Sequence, residues 1–370
     1  MVRYHRLNIA FFGSSLVSSY WNGAATYYRG IIRALHARGH RITFYEPDAY
    51  GRQAHRDLAD VPWARVVVYP GDDEGAALRC VEEARAADVL VKASGVGVYD
   101  ALLEAAIPAA RRPRSLAIFW DVDAPATLGR LRSNPSDPFR ALIPRYDTVF
   151  TYGGGEPIVR GYEELGARGC EPVYNALDPD THFRVEPQRR YDADLAFLAN
   201  RLPDREARAD AFFFEVARGL PARRFLLGGS GWDDPSLPRN VAWVGHVGTA
   251  DHNAFNSTPR AVLNVARDSM AAAGFSPATR VFEAAGAATC VITDAWDGIE
   301  LFLEPGREVL VARDGGDVAH HLAALTEARA RALGEAARRR VLAHHTYAER
   351  ARQVEALLTH DLPTLENAAP

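Results

Sequence analysis

Lysine is nearly missing from this sequence. Lys92 is the only one, so arginine carries almost all the positive charge; this is a compositional bias with no functional content of its own. Cysteine is scarce as well. Cys80, Cys170 and Cys290 are odd in number, far apart and in no C-x-x-C pair. That spacing argues against a disulfide framework and against a zinc ribbon, and it suits a reducing compartment. Positive charge is not in excess: the formal net charge is -4, which gives no footprint for nucleic acid. No apolar run reaches the roughly 18 residues of a membrane span, and the opening MVRYHRLNIAFFGSS lacks the long apolar stretch and cleavage site of a signal peptide. The expected location is the cytoplasm. G-x-G-x-x-G, the P-loop, G-x-S-x-G and H-E-x-x-H are all absent, so an NAD fingerprint, a phosphate-binding P-loop, a serine nucleophile elbow and a zincin helix have no support.

What is present is an alternation. Short, doubly apolar runs stand at 7–13, 41–46, 65–69, 87–92, 115–119 and 147–151, with helical patterns between them. In the stretch 24–38, Tyr27, Ile31 and Leu35 recur at i, i+4, i+8, and Gly39 follows as a stop. Runs without polar alternation suit a parallel sheet covered on both faces. The pattern pauses over 171–195, which is rich in Pro, Asp and Arg. It restarts with runs at 194–200, 224–229, 240–246, 260–265, 289–294 and 308–312, and helical stretches at 204–219, 277–286, 316–344 and 347–359. A chain of 370 residues is longer than a single core usually grows, so two α/β domains joined by one linker are expected. Ligands of open α/β sheets bind beyond the carboxyl ends of the strands, and two such sheets facing each other would make a cleft.

Several polar groups fall at those strand ends. In FSPATRVFEAAGAATCVITD (275–294), Ser276 can cap a helix with Pro277 in its first turn, and Thr279 follows. Arg280 and Glu283 then share one face at i and i+3. A helix N-terminus with an arginine favours an anion, and the glutamate can accept two hydrogen bonds from a ribose diol, so the pair suits a nucleotide diphosphate; a surface Arg–Glu pair is the plainer alternative. Asn200, Arg201 and Arg205 stand where a strand turns into a helix, again a place for phosphate unless the arginines pair with Asp204 or Glu206. Gly13 and Gly23 lie in a long loop after the first strand and leave room for close approach of a ligand. Asp121 and Asp123, at a strand end, can act as a general base or hold an acceptor hydroxyl, or Asp123 can cap the segment that follows. His246 directly follows a strand and is a further candidate; His252 is a few residues on. Nothing has metal-ligand spacing.

These residues, taken in order, resemble a known family. GAATYYRGIIRALHARGHRITFYEPD, DTVFTYGGGEPIVRGYEELGARGCEPVYNALDPDTHF and AVLNVARDSMAAAGFSPATRVFEAAGAATCVITDAWDGIELFLEPGREVLVARD are similar to segments of GT-B glycosyltransferases, especially the CgeB-like group. The likeness is strongest over 260–312 and poorest over 51–115. It implies two Rossmann-like domains facing a cleft: an acceptor-side domain at 1–175, a donor domain at 176–346, and a last helix, 347–370, returning to the first domain. It implies transfer of a sugar from a nucleotide-diphosphate-sugar to a small-molecule, glycan or protein acceptor, without a metal or other cofactor. Glu283 would hold the donor ribose, Arg201, Arg205 and Arg280 the leaving diphosphate, and the Gly13 loop and Gly23 would lie near diphosphate and acceptor. One departure stands out. Many retaining relatives carry a Glu-x7-Glu pair, and here Phe275 occupies the first position. A binding protein of the same fold that has lost catalysis, or a nucleotide-sugar epimerase, is the alternative expectation.

Overall fold

A computed structural model of the chain describes residues 6–20 and 22–366, with side chains through residue 359. The first five residues, Trp21 and residues 367–370, which include the outer limits of the expected 1–175 and 347–370 segments, lie outside the described residues. The chain forms two compact units, one from residues 1–174 together with 347–370, the other from 175–346.

The first unit is built on seven strands: β1 (Asn8–Phe12), β2 (Arg41–Asp48), β3 (Arg65–Pro70), β4 (Val89–Ala93), β5 (Leu116–Asp121), β6 (Thr148–Thr151) and β7 (Cys170–Pro172). They lie in the order β3-β2-β1-β4-β5-β6-β7, and all are parallel. Every residue of β4 and β5 is buried, as expected of strands covered on both faces. The helix Ala25–Ala37 buries Tyr27, Tyr28, Ile31, Ile32 and Leu35. The last helix, Tyr347–Glu366, packs on this one so closely that a Cβ at Gly30 would come within 2.2 Å of the Tyr347 ring; only glycine fits there. Arg38 and the buried Glu355 form an ion pair across the same two helices.

The second unit repeats the plan with six strands: β8 (Leu195–Leu198), β9 (Phe225–Gly228), β10 (Val241–Trp243), β11 (Ala261–Asn264), β12 (Cys290–Asp294) and β13 (Leu310–Ala312). Their order is β10-β9-β8-β11-β12-β13, again all parallel. Read from the start of each unit, both sheets run 3-2-1-4-5-6, the doubly wound Rossmann order. The winding reverses between β1 and β4 in one unit and between β8 and β11 in the other, and the crevices at those reversals are where such sheets take ligands.

All twelve expected strands are present, and the α/β, two-domain Rossmann-like expectation holds. β7 is the addition; its Cys-Glu-Pro sequence has no apolar run to announce it. Two expected helices are broken. The 204–219 stretch has a π turn at Asp210–Phe214 between Pro203–Ala209 and Glu215–Gly219. The 316–344 stretch splits into Gly315–Ala324 and Glu327–His344, because the Thr326 side chain accepts from the Arg329 N–H and starts a new helix. All three cysteines are free and buried. Among the described residues no helix is long and apolar enough to cross a membrane.

Candidate functional site

The polar groups of the second unit gather beyond its strand ends. After β11 the chain runs through Gly274 and Phe275 into the helix Thr279–Gly286. Phe275 has φ of 48°, in the left-handed region, which a bulky residue rarely adopts. Its N–H donates to Asp297 O at 2.6 Å, and its ring lies against Gly298. The expected cap at Ser276 is not formed. The Ser276 hydroxyl donates to Gly274 O, and the residue before the helix is Ala278, extended at ψ 151°. The Pro277 carbonyl accepts from Asn175 Nδ2 at 2.9 Å, and the helix begins at the half-buried Thr279.

Val281, Phe282, Ala284 and Ala285 pack the helix into its unit, and Glu283 is buried with them. Arg280 Nη2 stands 3.9 Å from Glu283 Oε2. Two histidines complete the group. His182, from the segment that precedes β8, places Nε2 3.6 Å from Glu283 Oε1. His252, at the start of the helix His252–Ser257, places Nδ1 4.0 Å from Glu283 Oε2. Glu283 Oε2, His182 Nε2, His252 Nδ1 and Arg280 Nη1 are buried atoms that make no hydrogen bond to the protein. Buried polar groups are usually paired, so four together on one spot mark it. Burial alone would raise the Glu283 carboxyl, but His182, Arg280 and His252 outweigh it and hold the group below its ordinary value. Burial lowers His252 to about 4, which keeps its ring neutral at physiological pH.

The ligand atoms of His182, His252 and Glu283 lie within 4.8 Å of one another, and such residues hold transition metals. Here the Arg280 guanidinium sits against the same carboxylate oxygen, so a divalent ion would meet a partly buried like charge. The arrangement suits a neutral hydroxyl ligand better than a cation.

At the β8 end, Asn200 Oδ1 accepts from Ser230 N at 3.0 Å. Arg201 pairs with Glu206 and lies over the Trp232 ring at 5.7 Å. Arg205 Nη1 donates to Asn200 O. Asp204 instead binds Arg267 and Ser269. His246 is exposed just after β10.

The remaining candidates belong to the first unit. Gly13 is fixed by packing: a Cβ there would meet the Phe44 ring at 2.5 Å. Gly23 is exposed, with nothing within 4 Å of such a Cβ. Asp121 is fully buried, accepting from the Tyr162 hydroxyl and from Asp123 N, and burial raises its carboxyl. Asp123 is half-buried and stands before the helix Ala124–Ser133, with no side-chain bond capping it. Arg280 and Glu283 are therefore brought together as the spacing predicts, Asn200, Arg201 and Arg205 share a separate turn, and His182 and His252 are members of the cluster that spacing does not place there.

The same architecture recurs in solved structures. Sucrose-phosphate synthase from Thermosynechococcus elongatus superposes with a TM-score of 0.69 at 15% identity, covering 97% of this chain and 100% of that one. HepE of Anabaena, solved with UDP-glucose, gives 0.68 at 13%, covering 96% and 100%. A glycosyltransferase involved in avilamycin A biosynthesis gives 0.62 at 17%, covering 97% and 98%. The fold is thus the two-domain GT-B fold of these proteins. Residues 205–356 also match the family described as glycosyl transferase-like, a span that contains His252, Arg280 and Glu283. No curated protein matches the sequence significantly.

Proposed function

We propose that the protein is a glycosyltransferase of the hexosyltransferase type, moving a sugar from a nucleotide-diphosphate-sugar to an acceptor hydroxyl without a metal. The observation that carries this reading is the Arg280–Glu283 pair, held 3.9 Å apart on the helix that leads into β12, in a sheet of Rossmann order. The family match over the same segment supports it. Glycosyl transfer needs its leaving diphosphate stabilised, and a fixed guanidinium at a helix start supplies that without reorganisation. Arg280 meets the diphosphate, with the turn at Asn200 and Arg205 as the second source of positive charge, joined by Arg201 when it exchanges its pairing with Glu206 for the diphosphate. Ser276 and Thr279 serve the donor at the helix start, Glu283 takes the ribose, and His246, exposed after β10, is the further candidate for a catalytic group. On the acceptor side Asp123 is the carboxylate placed to receive a proton or orient a hydroxyl; Asp121 is sealed and holds the turn. The Gly13 loop and Gly23 serve the diphosphate and the acceptor. The three free, buried cysteines suit a cytoplasmic protein.

Phe275, where many retaining relatives have glutamate, favours a second reading: a nucleotide-binding protein of this fold without turnover. Incubation with UDP-, GDP-, ADP- and dTDP-sugars separates the readings. A transferase releases nucleoside diphosphate slowly by hydrolysis, an epimerase returns a rearranged sugar, and a binder shows only a ligand-dependent rise in melting temperature. In the Arg280→Ala variant turnover falls about tenfold or more with a small change in melting temperature. Equal loss of both assigns Arg280 to the fold alone.

A further inference from the structure

We infer that His252 is the partner of Glu283 in reading the donor's sugar ring next to the base, and that the two together select ribonucleotides over 2′-deoxyribonucleotides. This rests on the donor reading above. The starting point is the protonation of one ring. His252 Nε2 lies 3.2 Å from Val247 O. A carbonyl only accepts, so Nε2 carries the proton and Nδ1 is left as a lone pair. Burial keeps the ring from taking a second proton. That lone pair faces Glu283 Oε2, itself an acceptor, at 4.0 Å. Two acceptors cannot bond each other, and neither receives a hydrogen bond from the protein.

The two carboxylate oxygens of Glu283 have different surroundings. Oε1 faces His182, whose side chain is 4% exposed, as is that of Glu283. Oε2 faces His252 and Arg280, whose side chains are each 17% exposed. The two acceptor atoms are themselves buried, and the exposure that the cluster retains lies on His252 and Arg280 rather than on Glu283 and His182. What satisfies two acceptors 4.0 Å apart is two O–H donors on neighbouring atoms, each spanning about 2.8 Å to its acceptor. A vicinal cis diol has that form, and Arg280 disfavours a cation in its place. Removing one hydroxyl leaves one buried acceptor unpaired, and sites built to bond a hydroxyl reject analogues lacking it.

The test is calorimetric titration of the full chain with UDP, GDP and ADP and with the 2′-deoxy form of each. For whichever base binds, the ribo form is expected to bind about 10- to 100-fold tighter. His252→Phe removes the acceptor and is expected to collapse that ratio towards one; His252→Asn, which can present an oxygen in place of Nδ1, is expected to retain part of it. If no nucleoside diphosphate binds, the donor reading itself fails. If ribo and deoxy forms bind the wild type equally, the donor reading stands and this inference is overturned, with only water meeting the two acceptors. Full discrimination in a folded His252→Phe variant overturns the role of His252. The wild-type comparison needs no variant, so a variant that does not fold leaves the inference open to refutation.

Discussion

The two units share one winding, and one buried charged pair from each makes a contrast. In the first, Lys92 at the end of β4 is fully buried and bonds Asp100 and, at 2.9 Å, Ala93 O. Asp100 also receives the N–H groups of Val96 and Gly97. That pair is closed. In the second, Arg280 and Glu283 stand 3.9 Å apart, with atoms that no protein group satisfies. Topology places polar groups at the strand ends in both units, and in the second the buried Asp294 is bonded by Arg208 and the Ala266 N–H; what sets Arg280 and Glu283 apart is that the protein does not complete their hydrogen bonds. A completed pair holds a loop, and an incomplete one is shaped for something that arrives later.

That contrast can be broken at either end. Lys92→Met strands the Asp100 carboxylate, and unfolding free energy is expected to fall by about 3 kcal/mol in urea titration, with nucleoside diphosphate affinity unchanged. A loss of affinity with little loss of stability would put Lys92 among the ligand-binding groups and erase the distinction. Glu283→Gln has the converse profile. Nucleoside diphosphate affinity is expected to drop about 10- to 100-fold, the worth of a hydrogen bond to a charged acceptor, while stability falls less than in Lys92→Met. Calorimetry and urea titration of the two variants side by side check both halves. The smallest effect is on pH dependence. His252 is lowered from 6.5 to about 4 in the folded state. The unfolded chain therefore takes up the proton first as pH falls, so the stability contribution is complete above 6.5 and declines between 6.5 and 4. His252→Phe removes that decline. Its unfolding free energy should fall less than the wild type's between pH 7 and 5, by on the order of 1 kcal/mol; parallel curves would show that the ring is not kept neutral.

The sheets were readable because parallel strands buried on both faces are written as continuous apolar runs, as in LAIFWD and CVITD. β7 was not, because three residues with a glutamate and a proline carry no such run. The site was half readable. Arg280 and Glu283 are one turn apart on one helix, which spacing alone reveals. His182 sits in a stretch whose Pro, Asp and Arg content reads as linker, and His252 stands beside His246 with nothing local to rank the two. Their approach to Glu283 spans about 100 and 30 residues of chain, and only the fold supplies it. The Ser276 cap is likewise absent: its hydroxyl bonds Gly274 O, and Asn175, about 100 residues upstream, holds the Pro277 carbonyl.

The close fit of Tyr347 over Gly30 has a bearing on biosynthesis. The first unit is discontinuous, and the whole of the second lies between its two parts. On the ribosome, residues 175–346 emerge as an uninterrupted stretch and have all their own strands before the terminal helix is translated. The earlier portion lacks the cover that Tyr347 gives its helix Ala25–Ala37 until the helix Tyr347–Glu366 is translated. The portion made first is thus the one completed last, and apolar surface left open in the interval is what favours aggregation during synthesis.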